Sequence, residues 1–421
     1  MPQSRMMSAT TRTQVGIIGA GPAGLLIGNL LLQAGVGCIV VEQQSRDYIE
    51  HRTRAAMIEF WVVDFLRSYG LADRLLREGM TQSSCEFRYH KRRFSLQYSS
   101  LYGDRTHYIY PQQELVKDLV ASFLNAGGDL RFETPALDVR APTTTTPAIR
   151  TSADDIVCDL VVGCDGFYGV TRPSLPATAF TTYEKQYGFR WLALLAVAPP
   201  STDHLIYSLH DRGYAGHMLR SSTVSRFYLQ CPLDDSIDSW PDERIWLELE
   251  TRFALDEPWS LTRGPIIEKN FLDLHSFVCE PMQYGQVYLA GDAAHIISPA
   301  GAKGMNLALA DAAVFVEGVR AFYEHNDDTL LAAYSQQCLP RIWRAQEFSH
   351  WMLSIMLSPT PGQPDSDFMH KLQIARLERL RTSRTAAASF AQNYIGYDLV
   401  PGFSADGSNR TFPVTPDVPS F

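Results

Sequence analysis

Three short stretches carry residue types spaced for chemistry. The first is Gly19-Ala20-Gly21-Pro22-Ala23-Gly24, with Glu42 eighteen residues beyond the last glycine. Glycines at this spacing allow a tight turn, close approach of the backbone to a pyrophosphate, and packing of a helix against a strand. An acid placed as Glu42 is accepts hydrogen bonds from ribose hydroxyls. The second is Val287–Asp311, VYLAGDAAHIISPAGAKGMNLALAD. An apolar run breaks at Gly291-Asp292, loops through Pro299 and Gly301, and starts a long apolar-periodic helix near Asn306. Such a junction gathers backbone amides and a helix N-terminus at one point, which suits a polar or anionic ligand. Read alone, it is also an ordinary strand-to-helix connection. The third is HRTRAA at His51–Ala56, where two arginines at i and i+2 can hold phosphate or flavin. A solvated turn is the bland alternative there.

The elements that position these residues follow from hydrophobic period. Gln14–Gly19 and Val36–Val41 are expected as strands around a helix over Leu25–Ala34, which is the context the glycine pattern needs. Helices are expected at Met57–Gly70, Tyr110–Asn125, Arg244–Phe253, Asn306–Glu324, Leu331–Met356 and Asp365–Ala391. Ile156–Gly163 reads as a buried strand leading into GCDGFYGVTR, Gly163–Arg172, and Val287–Ala290 as another strand. Cys85–Tyr98 alternates like strands, and from Thr181 so do Gly188–Ala198, His204–Leu209 and Arg226–Cys231. The expected class is α/β: a Rossmann-like domain, a mainly antiparallel-sheet domain that walls a pocket, and a helical C-terminal region.

Composition sets the outer bounds. The chain has 421 residues, 45% hydrophobic and 20% charged, enough for two or three domains with real cores. A net charge of −9 offers nothing to nucleic acid. The basic cluster Arg88–Arg93 is interrupted by aromatics and reads as an exposed strand. The seven cysteines are dispersed, with no C-x-x-C or paired His/Cys spacing, so no metal site is expected and reduced thiols in a cytoplasmic protein are. The start lacks a signal-peptide core, and no apolar run suits a membrane span.

Three motifs occur in fixed order: GIIGAGPAG at Gly16–Gly24 with Glu42, GCDGFYGVTR, and YLAGDAAHIISPAGAKGMN at Tyr288–Asn306. With LIY at Leu205–Tyr207, RSSTVSRFY at Arg220–Tyr228 and AQNYIG at Ala391–Gly396, the chain resembles the single-component FAD-dependent aromatic hydroxylases over about residues 13–397. A W-x-W-x-I-P segment, which a flavin halogenase would carry, is not present. The resemblance implies a tail at 1–12, an FAD-binding domain at 13–180, a substrate domain at 181–297, a helical interface region at 298–396 and a tail at 397–421. Strands near 83–110 would join the substrate sheet.

The resemblance also implies roles. FAD would lie along Gly19, Gly21 and Gly24 with its ribose at Glu42. Arg52, Arg54, Met57, Gln112, Asp165 and Asp292 would also hold it, Asp292 at the ribityl chain, and Met305 and Asn306 would face its pyrimidine end. Gln44, Tyr48 and Arg52 would receive NADPH, with NADH accepted because Gln43, Tyr168 and His275 replace the family's cationic residues. Arg220 would pair with an aromatic carboxylate, Tyr228 would add a hydrogen bond, and Tyr207, Tyr394 and the Pro299 carbonyl would serve the para group. Arg226 would sit near the flavin. Met218 stands where the family has Ser, Ala300 where it has Thr, and Gln82 where it has a His at the surface end of the proton path. A hydroxyl lost at 218 costs about 1–3 kcal/mol if its acceptor stays buried and unpaired. The implied reaction uses O2 to hydroxylate a para-substituted benzoate beside its para group: 4-hydroxybenzoate, with 4-aminobenzoate as the alternative. A homodimer is implied, and a non-catalytic FAD-binding protein is the rival of another class.

Overall fold

Val15–Ile18 is buried at every residue, as a central parallel strand covered on both faces must be. The computed structural model, which describes residues 10–358 and 364–396, places it in a six-stranded sheet. The order is Gln283–Tyr284, Val287–Leu289, Leu160–Gly163, Val15–Ile18, Cys38–Val41 and Asp129–Arg131. All neighbours are parallel except the first two strands, which form an edge hairpin. Parallel strands end on one side. Gly19, Glu42, Asp165 and Asp292 therefore all emerge at one edge, although they are up to 273 residues apart. The helix Pro22–Gln33 packs against Gln112–Asn125 and Gly304–His325. Asn29 joins the first pair by donating to Leu25 O at 2.8 Å and Leu119 O at 2.9 Å.

An eight-stranded sheet forms the second layer, in the order His295–Ile296, Ile266–Glu280, Thr181–Ala196, Ser225–Cys231, Ala215–Leu219, Leu205–Ser208, Cys85–Tyr89 and Arg92–Leu96. Side chains alternate between its faces. One face, with Leu192, Ile206, Phe227 and Leu229, is capped by the helix Asp242–Phe253 through Trp246 and Leu249. The other carries Phe87, Trp191, Tyr207 and Tyr214 into the main core shared with the nucleotide domain and the C-terminal helices.

Several expectations need correction. Residues 10–12 are not tail: Thr10–Arg12 pairs in parallel with Asp155–Val157. The 397–421 tail lies outside the described residues. The 181–297 domain is not continuous, because Gln283–Tyr284 and Val287–Leu289 return to the nucleotide sheet. Met57–Ile58 is a strand rather than a helix start, held to His107–Ile109, and the helix runs Phe60–Ser68. Of the strands near 83–110, Cys85–Tyr89 and Arg92–Leu96 join the pocket sheet. His107–Ile109 instead lies between Met57–Ile58 and Met80–Gln82 in a small sheet. Arg88 is not exposed; it donates to Glu86 at 2.6 Å and to Phe253 O at 2.7 Å inside the core. The helix expected to begin at Leu331 is split at Ala333, and the one over Asp365–Ala391 breaks at Ser383. The strands Ala215–Leu219 and Ile266–Glu280 went unread because glycine, histidine and charged residues interrupt their apolar alternation. Among the described residues, no helix is long and apolar enough to cross a membrane, and no cluster of His, Cys, Asp and Glu could hold a metal.

His295 ties the two sheets to the helix Gly304–His325. Its Nε2 lies 2.6 Å from Asp311 Oδ2, which also accepts from Gly291 N at 2.9 Å. Burial opposes charge on the His295 ring, but Asp311 outweighs it and the pKa is raised above 6.5. A His with a raised folded pKa contributes stability that is full below the unfolded value near 6.5 and is lost as pH rises through the folded value. Urea unfolding is thus expected to show stability falling with pH above about 6.5. Asp311→Asn should remove that slope and cost about 3 kcal/mol at pH 6. An unchanged slope in the variant would rule out this pair as its source.

Candidate active site

The turn after Val15–Ile18 is built for close approach. Gly19 has φ of 100°, and a Cβ there would lie 2.5 Å from Cys164 O, while a Cβ at Gly24 would overlap Gly19 O. Gly21 faces open space and presents bare backbone at the start of the helix Pro22–Gln33. Glu42 is buried and braces this turn, accepting from Ala20 N and Gln44 N, each at 2.8 Å. Each carboxylate oxygen keeps lone-pair capacity for a ribose hydroxyl.

The second and third motifs complete the edge. Asp165 Oδ2 accepts from Thr171 N at 2.8 Å and Thr171 Oγ1 at 2.9 Å, while its buried Oδ1 has no partner among the described residues. Burial raises its carboxyl pKa, with the Thr171 donors pulling it back. Arg172 ties the motifs together by donating to Ala293 O at 2.7 Å and Phe167 O at 2.8 Å. Asp292 keeps exposed surface but is closely surrounded by protein. That enclosure raises its pKa against the pull of His295, Arg52 and His275. An unpaired buried acceptor, a bare glycine turn and two carboxylates at one strand edge fit an extended dinucleotide. The first amides of Gly304–His325, at Gly304, Met305 and Asn306, have no partner within the helix and can receive a polar ring edge.

The structure changes some of the expected cofactor contacts. The Asn306 side chain is committed to protein: Oδ1 accepts from Glu59 N at 2.9 Å, and Nδ2 donates to Ala302 O at 2.9 Å and Met57 O at 3.3 Å. Only its backbone amide remains for a ligand. Met57 is buried in the core. Arg52 and Arg54 are exposed, with Arg52 5.7 Å from the centre of the Tyr48 ring. Gln112 N donates to Ala55 O at 2.8 Å. Tyr168 is 93% exposed and packs on Phe167, which in turn meets His275 at 5.6 Å.

The eight-stranded sheet carries Tyr207, Met218, Arg226 and Tyr228, and Arg220 directly follows one of its strands; these are residues expected on the substrate side. Arg220 is 5% exposed. Its Nη1 donates to Arg54 O at 2.6 Å and Ala55 O at 3.1 Å, and its Nη2 to Gln113 Oε1 at 2.7 Å. All three acceptors are neutral. Burial, then repulsion from Arg226, pushes its pKa down to about 10. Arg226 stands opposite Met218, and its buried Nε has no partner among the described residues. Among the described residues no carboxylate is bonded to either guanidinium, so the pair is suited to an anion. Tyr228 lies next to them, opposite Gly216.

Tyr207 Oη and Tyr394 Oη are 2.6 Å apart in the core. Burial raises both phenol pKa values, so both hold their protons at neutral pH. Pro299 is exposed, and its carbonyl already accepts from Ala302 N at 3.1 Å, leaving one lone pair; Ala300 is buried beside it. Gln82 is not at the surface. It is buried and donates to Ser84 O at 2.6 Å and Asp203 O at 3.2 Å.

Four residues near the site were missed in the sequence. Gln113 orients Arg220. Lys303 donates to Glu59 Oε1 at 2.6 Å and to Tyr394 O at 2.7 Å. His107 Nε2 lies 3.0 Å from Tyr394 O, and burial lowers its pKa to about 3, so it stays neutral. A lysine inside an apolar Gly-Ala-Lys-Gly segment was the one available signal. The partners that tie Gln113, Glu59 and His107 to the site, namely Arg220, Lys303 and Tyr394 O, are all distant in sequence.

The bare glycine turn with carboxylates at one strand edge suits a dinucleotide, and Arg220 shares a sheet face with Tyr207 of the Tyr207–Tyr394 pair. Comparison with known proteins agrees. The family profile described as FAD binding domain matches residues 12–349. A p-hydroxybenzoate hydroxylase of Acinetobacter baylyi is 39% identical over 391 residues, covering 92% of this chain and 96% of that protein. A 3-(3-hydroxy-phenyl)propionate/3-hydroxycinnamic acid hydroxylase of Mycobacterium avium is 25% identical, over 72% of this chain and 53% of its own length. Among solved structures, p-nitrophenol 4-monooxygenase from Pseudomonas putida superposes with a TM-score of 0.77 at 18% identity, covering 92% of this chain and 99% of that one, a likeness of fold. The chain belongs to this FAD-binding family and is an FAD-dependent aromatic-ring monooxygenase.

Because a Cβ at Gly24 has nowhere to go, Gly24→Ala is expected to yield protein with far less than one FAD per chain. It should also be destabilised by about 1–3 kcal/mol. Flavin absorbance and a thermal melt read both, and full FAD content would contradict the assigned turn.

Proposed function

We propose that this enzyme hydroxylates 4-hydroxybenzoate beside its hydroxyl group to give 3,4-dihydroxybenzoate, using O2 and NADPH. The observation that carries this reading is the buried Arg220, bonded only to neutral acceptors, on the same sheet face as the Tyr207–Tyr394 phenol pair. The likeness to a p-hydroxybenzoate hydroxylase favours the hydroxy acid over 4-aminobenzoate.

FAD, when bound, takes a hydride equivalent from the nicotinamide and activates O2. Gly19, Gly21, Gly24, Glu42, Asp165, Asp292, Arg52, Arg54 and Gln112 would hold it, with the amides of Met305 and Asn306 at the ring. The chain's own work lies on the substrate. Arg220 binds the carboxylate through its free N–H groups, and Tyr228 donates to the same group. Tyr207 donates from Oη to the para oxygen and stabilises it as phenolate, which makes the neighbouring ring carbon nucleophilic. The Tyr207 Oη to Tyr394 Oη hydrogen bond is the first leg by which the para proton leaves, each phenol passing one proton on as it receives one, toward solvent as the final acceptor. His107 is neutral throughout the working range and carries no charge in this path. Burial of Ala300, Tyr207 and Tyr394 keeps water from the reacting atoms.

On the nicotinamide side, Arg46 is paired with Glu50 at 2.7 Å and His51 with Asp47 at 3.2 Å. Gln44 and Tyr48 are neutral, so Arg52 is the main cation there, and NADPH is favoured over NADH only modestly. Seven free cysteines suit a cytoplasmic location. A homodimer through the C-terminal helices is part of the same reading, with Phe368 66% exposed on Ser366–Thr382; sedimentation equilibrium should return twice the chain mass, and a monomer would refute it.

The test is NADPH oxidation by the yellow protein with a panel of benzoates, scored by product. 4-Hydroxybenzoate should give coupled 3,4-dihydroxybenzoate, faster than 4-aminobenzoate and at most several-fold faster with NADPH than with NADH. Arg220→Lys should raise KM for the acid about tenfold or more, since a point charge cannot replace the planar fork. Absence of substrate-stimulated oxidation, or a strict NADPH requirement, would overturn the corresponding part.

A further inference from the structure

Two buried polar groups on the pocket face, Trp191 Nε1 and the Tyr214 hydroxyl, have no role in that reading, and the hydroxyl is the one set between Tyr207 and Tyr228. Tyr214 is fully buried, and its hydroxyl has no hydrogen-bond partner among the described residues. Tyr214, Gly216, Met218 and Arg220 alternate along one extended segment, so they share the pocket face. Gly216 is in register with Tyr207 on one neighbouring strand and with Tyr228 on the other. A Cβ at Gly216 would overlap the Tyr214 hydroxyl and lie 3.3 Å from Met218 Cε. The hydroxyl therefore occupies the place of the missing side chain, between Tyr207 and Tyr228. Burial raises the Tyr214 pKa, and the nearby Tyr207 and Tyr228 raise it further, so the group is a neutral donor. Trp191 closes the floor, its ring 5.1 Å from those of Tyr214 and Tyr228.

Adjacent strands are about 4.8 Å apart, so Gly216 lies midway across a span of roughly 10 Å between the Tyr207 and Tyr228 backbones. A benzoate held at Tyr228 and Arg220 by its carboxylate and at Tyr207 by its para oxygen lays its ring edge over Gly216. A buried hydroxyl without a partner is costly, and a ring substituent that bonds to it recovers that cost. We propose that Tyr214 is a third hydroxyl ligand in this pocket and that it selects 4-hydroxybenzoates carrying a second ring hydroxyl beside the carboxylate. Tyr214 donates to that oxygen. The inference rests on the benzoate reading above.

The test titrates the FAD-loaded wild type and Tyr214→Phe with 4-hydroxybenzoate and 2,4-dihydroxybenzoate, following the flavin absorbance change. The wild type should bind the dihydroxy acid more tightly than the monohydroxy acid. In Tyr214→Phe that preference should drop by about tenfold. Equal preference ratios in the two proteins would overturn this inference alone, provided the wild type binds 4-hydroxybenzoate. A wild type that binds neither acid would overturn the benzoate reading and this inference with it. Melting of the ligand-free proteins guards against misfolding. Tyr214→Phe should melt no lower than wild type, because it loses no internal bond, and a lower Tm would show that the hydroxyl is bonded within the protein and defeat the assignment.

Discussion

The buried ion pair between Lys303 and Glu59 is the joint on which the site depends. Lys303 directly precedes the helix Gly304–His325, whose first amides face the cofactor edge. Glu59 directly precedes the helix Phe60–Ser68 and follows the segment that carries Arg54 and Met57. The lysine also donates to Tyr394 O, and Glu59 Oε2 accepts from Trp61 Nε1 at 2.5 Å. Three segments far apart in sequence are thus held by one ammonium and one carboxylate, both buried. Burial lowers the Lys303 pKa while Glu59 raises it, and burial wins. Such a pair adds little net stability, because desolvation offsets most of its attraction. Removing one partner, however, strands the other and costs about 3–5 kcal/mol. Its value here is register: it fixes the Tyr394 hydroxyl relative to the helix start that serves the cofactor.

The cofactor half was legible because its physics is local. Gly19, Gly21, Gly24 and Glu42 must be those residue types to make their turn, and strand, helix and strand surround them in sequence. The parallel sheet then brings the Gly163–Arg172 and Tyr288–Asn306 motifs to the same edge. The substrate half was legible only through resemblance. Tyr207, Arg220 and Tyr228 look like ordinary strand residues until sheet register sets them side by side. Errors arose where tertiary packing overrode local pattern. Arg88 in a basic run is neutralised in the core by Glu86. Gln82 is turned inward by the carbonyls of Ser84 and Asp203. The resemblance set Asn306 at the pyrimidine end of the flavin, but its side chain holds Glu59 N, which leaves its backbone amide for that place. The single domain expected over 181–297 failed because a chain can leave a sheet and return to another without any change in composition.

Arg220 also connects the two halves. Its guanidinium holds the carbonyls of Arg54 and Ala55, and the same stretch is pinned from behind by Tyr110 N and Gln112 N at 2.7 and 2.8 Å. The loop bearing Arg54 is therefore clamped between the substrate-side arginine and the start of the helix Gln112–Asn125. In the proposed function, a carboxylate arriving at Arg220 meets a cation already oriented by three neutral acceptors, so little rotamer freedom remains to be lost on binding. It also meets a cation that burial and Arg226 have left under-compensated, which makes the anion's arrival favourable. A lysine at 220 could supply the charge but not both the fork to the carboxylate and the bonds to the loop. On that proposal the residue type at 220 follows from geometry: a planar donor is required where one group holds both the Arg54–Ala55 carbonyls and the substrate.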